Sequence, residues 1–374
     1  MKLLIILMSL IMSTVPVMAK VGTLGAKGAV LVEQESMRVL HGVNEYDKLP
    51  MASTTKIMTA IVALENGKLE DVVTVSATAA KAPPVDLKLQ TGEKQRLGDL
   101  LYSLMLESHN DTAIAIAEHV GGSVEAFCDM MTQKAIDLGA TNTKFETPNG
   151  LDGDQHYSTP YDLALITAYA LENPKFIEII NTPNISIPTE PLEGSRRHDL
   201  QSKNRFLHMV EGANGVKTGY TSKAGHCFVG SAKQDDMTLI GVALGNFGSS
   251  AKSKKYTDVQ KMIQHGFNNY KMYTLIDTDQ VMENINVVDG RKEQVKLVSK
   301  EQVVMPLTSE EVDTVKFSIT KPDELIAPVD KDLQAARLDV VLDTAVLQSV
   351  WLYPEQDVKE LSLLEKVKKY LNSF

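Results

Sequence analysis

Between residues 28 and 270 the spacing of apolar residues changes twice, from alternation to helical periodicity and back again. That order of periods restricts the fold more than any single motif does. Over residues 28–47 apolar and polar positions alternate on both sides of Glu35-Ser36-Met37-Arg38, the pattern of a β-hairpin. Residues 53–66 then read as a helix, introduced by Pro50 and ended by Gly67. It is apolar on nearly every face and therefore buried. Two further helical runs, 99–107 and 111–120, flank the polar triplet Ser108-His109-Asn110, and 123–138 and 159–171 continue the helical spacing. Alternation returns in 216–221, 227–232 and 238–244, joined by short polar turns, which predicts an antiparallel meander. A last helix covers 253–270. Strands, then helices, then a meander imply an α+β domain with helices packed on an antiparallel sheet.

Beyond Thr274 the pattern changes character. Residues 294–298, 302–307, 314–319 and 338–342 are short, β-branched runs between turn residues, which predicts a small all-β domain over 274–355. In the final stretch, 356–374, Val358, Leu361, Leu364, Val367, Leu371 and Phe374 recur every three or four residues, with Lys359, Lys366, Lys368 and Lys369 off that line. This is the pattern of an amphipathic helix with a basic face, either docked on its own domain or lying on a membrane surface. The other end of the chain supports the membrane-surface reading. Residues 1–19 combine Lys2, an apolar stretch and a small-residue site at Val17 and Ala19, the layout of a secretory signal peptide cleaved after Ala19. The apolar part is shorter than the roughly 20 residues a bilayer span needs. The expected protein works outside the cytoplasm, peripheral on the outer face of the cytoplasmic membrane.

Composition excludes several classes. With 38 Lys+Arg against 48 Asp+Glu, the net charge of −10 offers no basic field for a phosphate backbone, so no nucleic-acid partner is expected. An apolar fraction of 43% is enough to fold. The two cysteines, Cys128 and Cys227, form no metal or CxxC pattern and read as small buried apolar residues. The histidines show no ligand spacing and the chain has no dinucleotide fingerprint, so neither metal nor cofactor is expected.

Three short motifs remain: Ser53-Thr54-Thr55-Lys56, Ser108-His109-Asn110 and Lys217-Thr218-Gly219. Serine followed by lysine three positions on also occurs at Ser249 and Ser318, and Ser-x-Asn also at Ser202, so spacing alone selects nothing. The setting selects Ser53, at the start of a buried helix where residues three apart share a face. A serine hydroxyl needs a neighbouring base to become a nucleophile. At a helix N-terminus in apolar surroundings Lys56 is favoured as the neutral amine. Taken singly, Lys56 could as well extend to solvent, and Ser108 or Asn110 could cap the following helix. The glycines around Lys217 indicate close backbone approach, by substrate on this reading.

Together the three motifs carry the signature of class A β-lactamases and penicillin-binding proteins. The chain resembles the low-molecular-mass D-alanyl-D-alanine carboxypeptidases, serine peptidases that trim peptidoglycan stem peptides. The resemblance rests on Pro50-Met51-Ala52-Ser53, the Ser-x-Asn triplet, residues 143–151 (TKFETPNGL) and residues 215–225 (GVKTGYTSKAG). It implies a serine β-lactamase/transpeptidase-like domain over 20–273. It further implies that Ser53 is acylated by the substrate and by β-lactam antibiotics, with Lys56 as proton acceptor. By the same resemblance Ser108 passes a proton to the departing D-Ala and Asn110 holds the substrate amide. Lys217, Thr218 and Gly219 bind at the terminal carboxylate, and the N–H groups of Ser53 and Tyr220 form an oxyanion hole. Arg205 matches an arginine that the family carries near its active site. His109 and Tyr220 depart from residues usual in the family. Two other functions stay in view: a class A-like β-lactamase, which needs a deacylating Glu four residues before an Asn, and a non-catalytic penicillin-binding sensor. No Glu between Asn110 and Lys217 has that spacing.

Overall fold

The computed structural model describes residues 21–189 and 196–371. The segment read as a signal peptide lies outside them. The first domain is organised around a five-stranded antiparallel sheet in the order Val39–Val43, Gly28–Glu33, Met237–Asn246, Gly225–Gln234, Ala213–Thr221. The predicted hairpin therefore pairs with the end of the predicted meander, Val30 opposite Val242, closing a loop of more than two hundred residues. Helix Ala251–Asn269 covers one face of the sheet, burying Val259, Met262 and Ile263 against Phe228 and Leu239. The helical region covers the other face, with helix Lys56–Asn66 at its centre, in the same core as Val229 and Val242. The alternation in the strands thus serves two cores, one on each side of the sheet.

The helix read over 53–66 divides in two. Ala52–Thr55 is a 3₁₀ turn and the α-helix is Lys56–Asn66. Ala52 sits at φ +49, outside the helical region, and the Thr54 and Thr55 hydroxyls donate back to Met51 O and Ala52 O at 2.6 and 2.8 Å. These local bonds tighten the turn before the α-helix begins. Ser53 therefore stands on a strained turn at the mouth of the helix. The sequence reading also missed helix Pro174–Asn181 and the hairpin Asn184–Pro188 with Arg197–Gln201.

The second domain has its own core, including Ile285, Leu297, Leu338 and Leu352, inside a six-stranded sheet and a two-stranded one. Arg38, in the turn of the first hairpin, joins the domains. Its guanidinium forks onto Glu311, with Nη2–Oε1 at 2.5 Å, and donates to Pro306 O. The C-terminal helix is Leu363–Leu371 and begins later than the apolar spacing implied. Val358 instead bridges to Val329 and is buried in the β domain's core, because residues before Ser362 extend along that domain. Lys366 pairs with Asp289 at 2.6 Å and Lys369 with Glu293 at 2.9 Å, while Leu363, Leu364, Val367 and Leu371 are exposed. Two of the lysines thus turn to the protein and the apolar residues to solvent. Residues 372–374, with Phe374, lie outside the described part.

Candidate active site

Ser53, Lys56, Ser108, Asn110 and the strand carrying Lys217 meet in one place. Lys56 is completely buried, and its Nζ lies 3.1 Å from Ser53 Oγ, 2.8 Å from Asn110 Oδ1 and 2.6 Å from Asn149 O. All three contacts are neutral. Burying an unpaired ammonium costs several kcal/mol, so burial first, and then the nearby Lys217 charge, pull the Lys56 pKa well below its ordinary value; Asp111 opposes this only in part. A neutral amine has two N–H bonds and one lone pair. Asn110 Oδ1 and Asn149 O accept the two hydrogens, which leaves the lone pair for the Ser53 proton.

Asn110 is not a helix cap. It is the first residue of helix Asn110–Gly121, and while its Oδ1 accepts from Lys56, its Nδ2 donates to Pro83 O and Pro84 O at 3.0 and 3.3 Å. Ser108 is held at φ +71 after the π-helical turn Ser103–Glu107, and its hydroxyl is buried without a hydrogen-bond partner. An unpaired buried hydroxyl facing a cleft is available to a ligand. His109 turns away from the cleft to Ser103 Oγ at 2.9 Å, and burial holds its pKa at about 4, so it is a neutral packing residue.

On the opposite wall Lys217 is nearly fully buried and its Nζ reaches Thr218 O at 3.2 Å. Burial, with Lys255 and Lys203 nearby, lowers its pKa to about 7. Gly219 has a physical reason within the protein itself. A Cβ there would stand 2.9 Å from Ser53 N and 3.1 Å from Ala52 Cβ, so the strand needs glycine to pass the nucleophile turn. Gly150 does the same from the other side: at φ +84, its Cβ would fall 2.1 Å from Ala52 O. Tyr220 is exposed and its ring stacks on His226, with centroids 4.4 Å apart.

Several of these groups line a cleft of about 390 Å³; the buried Lys56 and Lys217 are not among its lining residues. It includes Ser53, Ser108, Asn110 and Thr218 to Tyr220, and also Lys203, Lys252, Lys255 and Glu107, which the sequence reading did not single out. Glu107 is engaged: Lys203 at 2.7 Å and the Gln201 N–H at 2.8 Å outweigh the effect of burial and hold its pKa below the usual value. Arg205 is exposed on the 3₁₀ turn Arg205–His208 and is not among the cleft residues; Lys203, two positions earlier, occupies that side. The contribution of Asn149 O was hidden because a backbone carbonyl carries no sequence signal. Cys128 and Cys227 are buried free thiols, with pKa values pushed by burial to about 12 and about 11. Among the described residues no His/Cys/Asp/Glu cluster could hold a metal.

The family model described as D-alanyl-D-alanine carboxypeptidase matches residues 15–248, and that described as penicillin-binding protein 5, C-terminal domain, matches 270–360. The chain is 30% identical over 361 residues to D-alanyl-D-alanine carboxypeptidase DacF of Bacillus subtilis, covering 93% of this chain and 90% of that one. It is also 30% identical over 348 residues to DacC of Escherichia coli, covering 90% and 84%. Penicillin-binding protein 5 from Haemophilus influenzae superposes with a TM-score of 0.78 at 26% identity, over 90% of this chain and 98% of that one. The matched length, the two domain types and the shared fold together make this chain a member of the D-alanyl-D-alanine carboxypeptidase family.

Proposed function

We propose that the enzyme removes the terminal D-Ala from peptidoglycan stem pentapeptides through an acyl-enzyme on Ser53. The observation that carries this is the position of Lys56 Nζ, 2.8 Å from Asn110 Oδ1, 2.6 Å from Asn149 O and 3.1 Å from Ser53 Oγ, where a neutral amine that donates to the two carbonyl oxygens has its lone pair left for the serine. As Ser53 Oγ attacks the penultimate carbonyl, Lys56 takes its proton and the carbonyl oxygen becomes an oxyanion held by Ser53 N–H and Tyr220 N–H. Such donors contribute roughly 3–4 kcal/mol each in comparable enzymes. The unpartnered Ser108 hydroxyl passes a proton from Lys56 to the departing D-Ala nitrogen as the C–N bond breaks. Water then attacks the ester carbonyl while Lys56 accepts its proton, and Lys56 returns that proton to Ser53 Oγ as the ester C–O bond breaks, releasing the shortened peptide with a free carboxyl group. Protonated Lys217, with Thr218 and Gly219 beside it, receives the substrate's terminal carboxylate. Asn110, whose Nδ2 is committed to Pro83 O and Pro84 O, offers the second lone pair of Oδ1 to the substrate amide N–H.

In this reading β-lactams acylate the same serine and inhibit the enzyme, and its work belongs to peptidoglycan biosynthesis and cell-shape control. Residues 1–19 direct export, 20–273 hold the catalytic machinery, 274–362 form a β-rich spacer that keeps Val358 in its core, and the helix beginning at Leu363 rests on the membrane's outer face. The exposed Leu363, Leu364, Val367 and Leu371 support an apolar contact with lipid, since Lys366 and Lys369 are paired with the protein. A β-lactamase is disfavoured because Glu107, the carboxylate among the described cleft residues, is occupied by Lys203 and Gln201. A non-catalytic sensor is disfavoured by the complete acylation machinery. Steady release of D-Ala from a peptide ending in D-Ala-D-Ala, exceeding penicillin turnover, is the expected result. Penicillin turnover faster than peptide turnover would establish the β-lactamase instead, and no D-Ala release the sensor.

A further inference from the structure

His156 is 4% exposed, lies outside the cleft and plays no part in the chemistry described above. Its hydrogen bonds nevertheless run in one direction to the nucleophile. The Glu146 N–H donates to Nδ1 at 3.1 Å, so Nδ1 bears no proton and the ring carries its hydrogen on Nε2. Nε2 lies 2.8 Å from Thr55 Oγ1 and therefore donates to it. With its lone pair engaged, the Thr55 hydroxyl turns its own hydrogen to Ala52 O, 2.8 Å away. Ala52 is the residue at φ +49, in a region that non-glycine residues occupy only when their surroundings hold them there. Ala52 O and Ser53 N–H belong to one planar peptide and point in opposite directions. Fixing the oxygen toward Thr55 fixes the N–H on the other side, where the position of a Gly219 Cβ lies 2.9 Å from Ser53 N. That is the edge of the strand on which Tyr220 follows.

We propose that His156 is a positioning residue which, through Thr55 and the Ala52 carbonyl, aims the Ser53 N–H at the developing oxyanion. The proposal rests on the acyl-enzyme reading above. Because the relay acts on charge that appears only in the transition state, its loss lowers kcat and leaves KM nearly unchanged.

The test measures D-Ala release by the full-length enzyme and four variants, with the folded fraction followed by near-UV circular dichroism. His156→Leu and Thr55→Val each lower kcat by about 10- to 100-fold with KM within about twofold, as expected for a displaced oxyanion donor. The double variant is no worse than the poorer single one, since both break one relay. His156→Gln, whose amide offers a donor near Nε2 and an acceptor nearby, recovers kcat to within about threefold of the parent. Unchanged kcat per folded molecule in His156→Leu, losses that multiply in the double variant, or a Gln variant no better than Leu would each overturn the relay. Ser53→Ala, measured alongside, separates the two claims. If it is inactive while His156→Leu is fully active, only the relay is wrong; if it retains activity, the acyl-enzyme reading fails.

Discussion

Lys56 Nζ stands 3.1 Å from Ser53 Oγ, and the other two groups within its reach, Asn110 Oδ1 and Asn149 O, are acceptors that leave the amine's lone pair to the serine. No charge compensates it at contact distance among the described residues, which is why the neutral form prevails. Lys56→Arg tests this relationship directly. A guanidinium stays protonated and cannot act as base. Acylation by penicillin should fall by at least about 10³-fold in the arginine variant, the scale seen when a base paired to a nucleophilic serine is lost. Lys56→Met, which removes a buried amine without creating a buried charge, should be equally inactive yet fold. Acylation surviving in either would assign the base elsewhere.

The two lysines require opposite protonation states, and pH separates them. Lys56 must be neutral, so kcat/KM rises as pH climbs through its depressed pKa. Lys217 must be charged to receive a carboxylate, and with a pKa of about 7 it loses that charge above neutrality. The free enzyme should therefore show a bell-shaped kcat/KM profile with its alkaline limb near 7. A bound carboxylate stabilises the ammonium, so the alkaline limb of kcat should lie higher than that of kcat/KM. Lys217→Arg should move the limb in kcat/KM well upward; an unmoved limb would assign it to another group.

Gly150 tests the packing of the nucleophile turn. At φ +84 an added methyl carbon would lie only 2.1 Å from Ala52 O, so Gly150→Ala meets both backbone strain and a steric clash. A loss of about 2–4 kcal/mol of stability, the sum of a strained φ and local overpacking, should appear in urea unfolding, together with a large fall in acylation rate. An alanine variant with parental stability and rate would mean that the 146–156 segment does not press on Ala52.

The C-terminal helix gives a prediction about attachment. A chain ending at Ser362 keeps the whole described cleft and the β domain's core, so its kcat should be unchanged while binding to lipid vesicles is lost. Because Lys366 and Lys369 are paired with Asp289 and Glu293, binding of the full chain should depend on apolar contact more than on lipid charge. A steep loss of binding with added salt would contradict that.

The sheet, the central helix and the clustering of Ser53, Ser108 and Lys217 could be read from the sequence because each rests on local periodicity or on a motif tied to its chemistry. What escaped depends on distant parts of the chain. Helix placement did not reveal that Ala52 departs from helical φ, since the segments packed against it, which need glycine at 150 and 219 to pass so close, lie about a hundred or more residues away. The close approach of Gly219 to the nucleophile turn, where a Cβ would stand 2.9 Å from Ser53 N, is likewise set by a distant segment and has no signal in the local spacing. Arg205 was placed at the site by resemblance, but Lys203 faces the cleft, and nothing in the spacing of Asn204-Arg205-Phe206 fixes which side each residue takes. Val358 fitted the period of the terminal helix equally well as a strand residue, which is how the β domain uses it.

The central claim is that Ser53 is the acylated residue, and the site of the covalent adduct tests it most directly. After brief reaction with penicillin, denaturation and trypsin digestion, the peptide of residues 49–56, LPMASTTK, should carry the added mass, with fragmentation placing it on Ser53. An adduct on Thr54 or Thr55, on any other peptide, or no adduct in a preparation that releases D-Ala, would contradict the account.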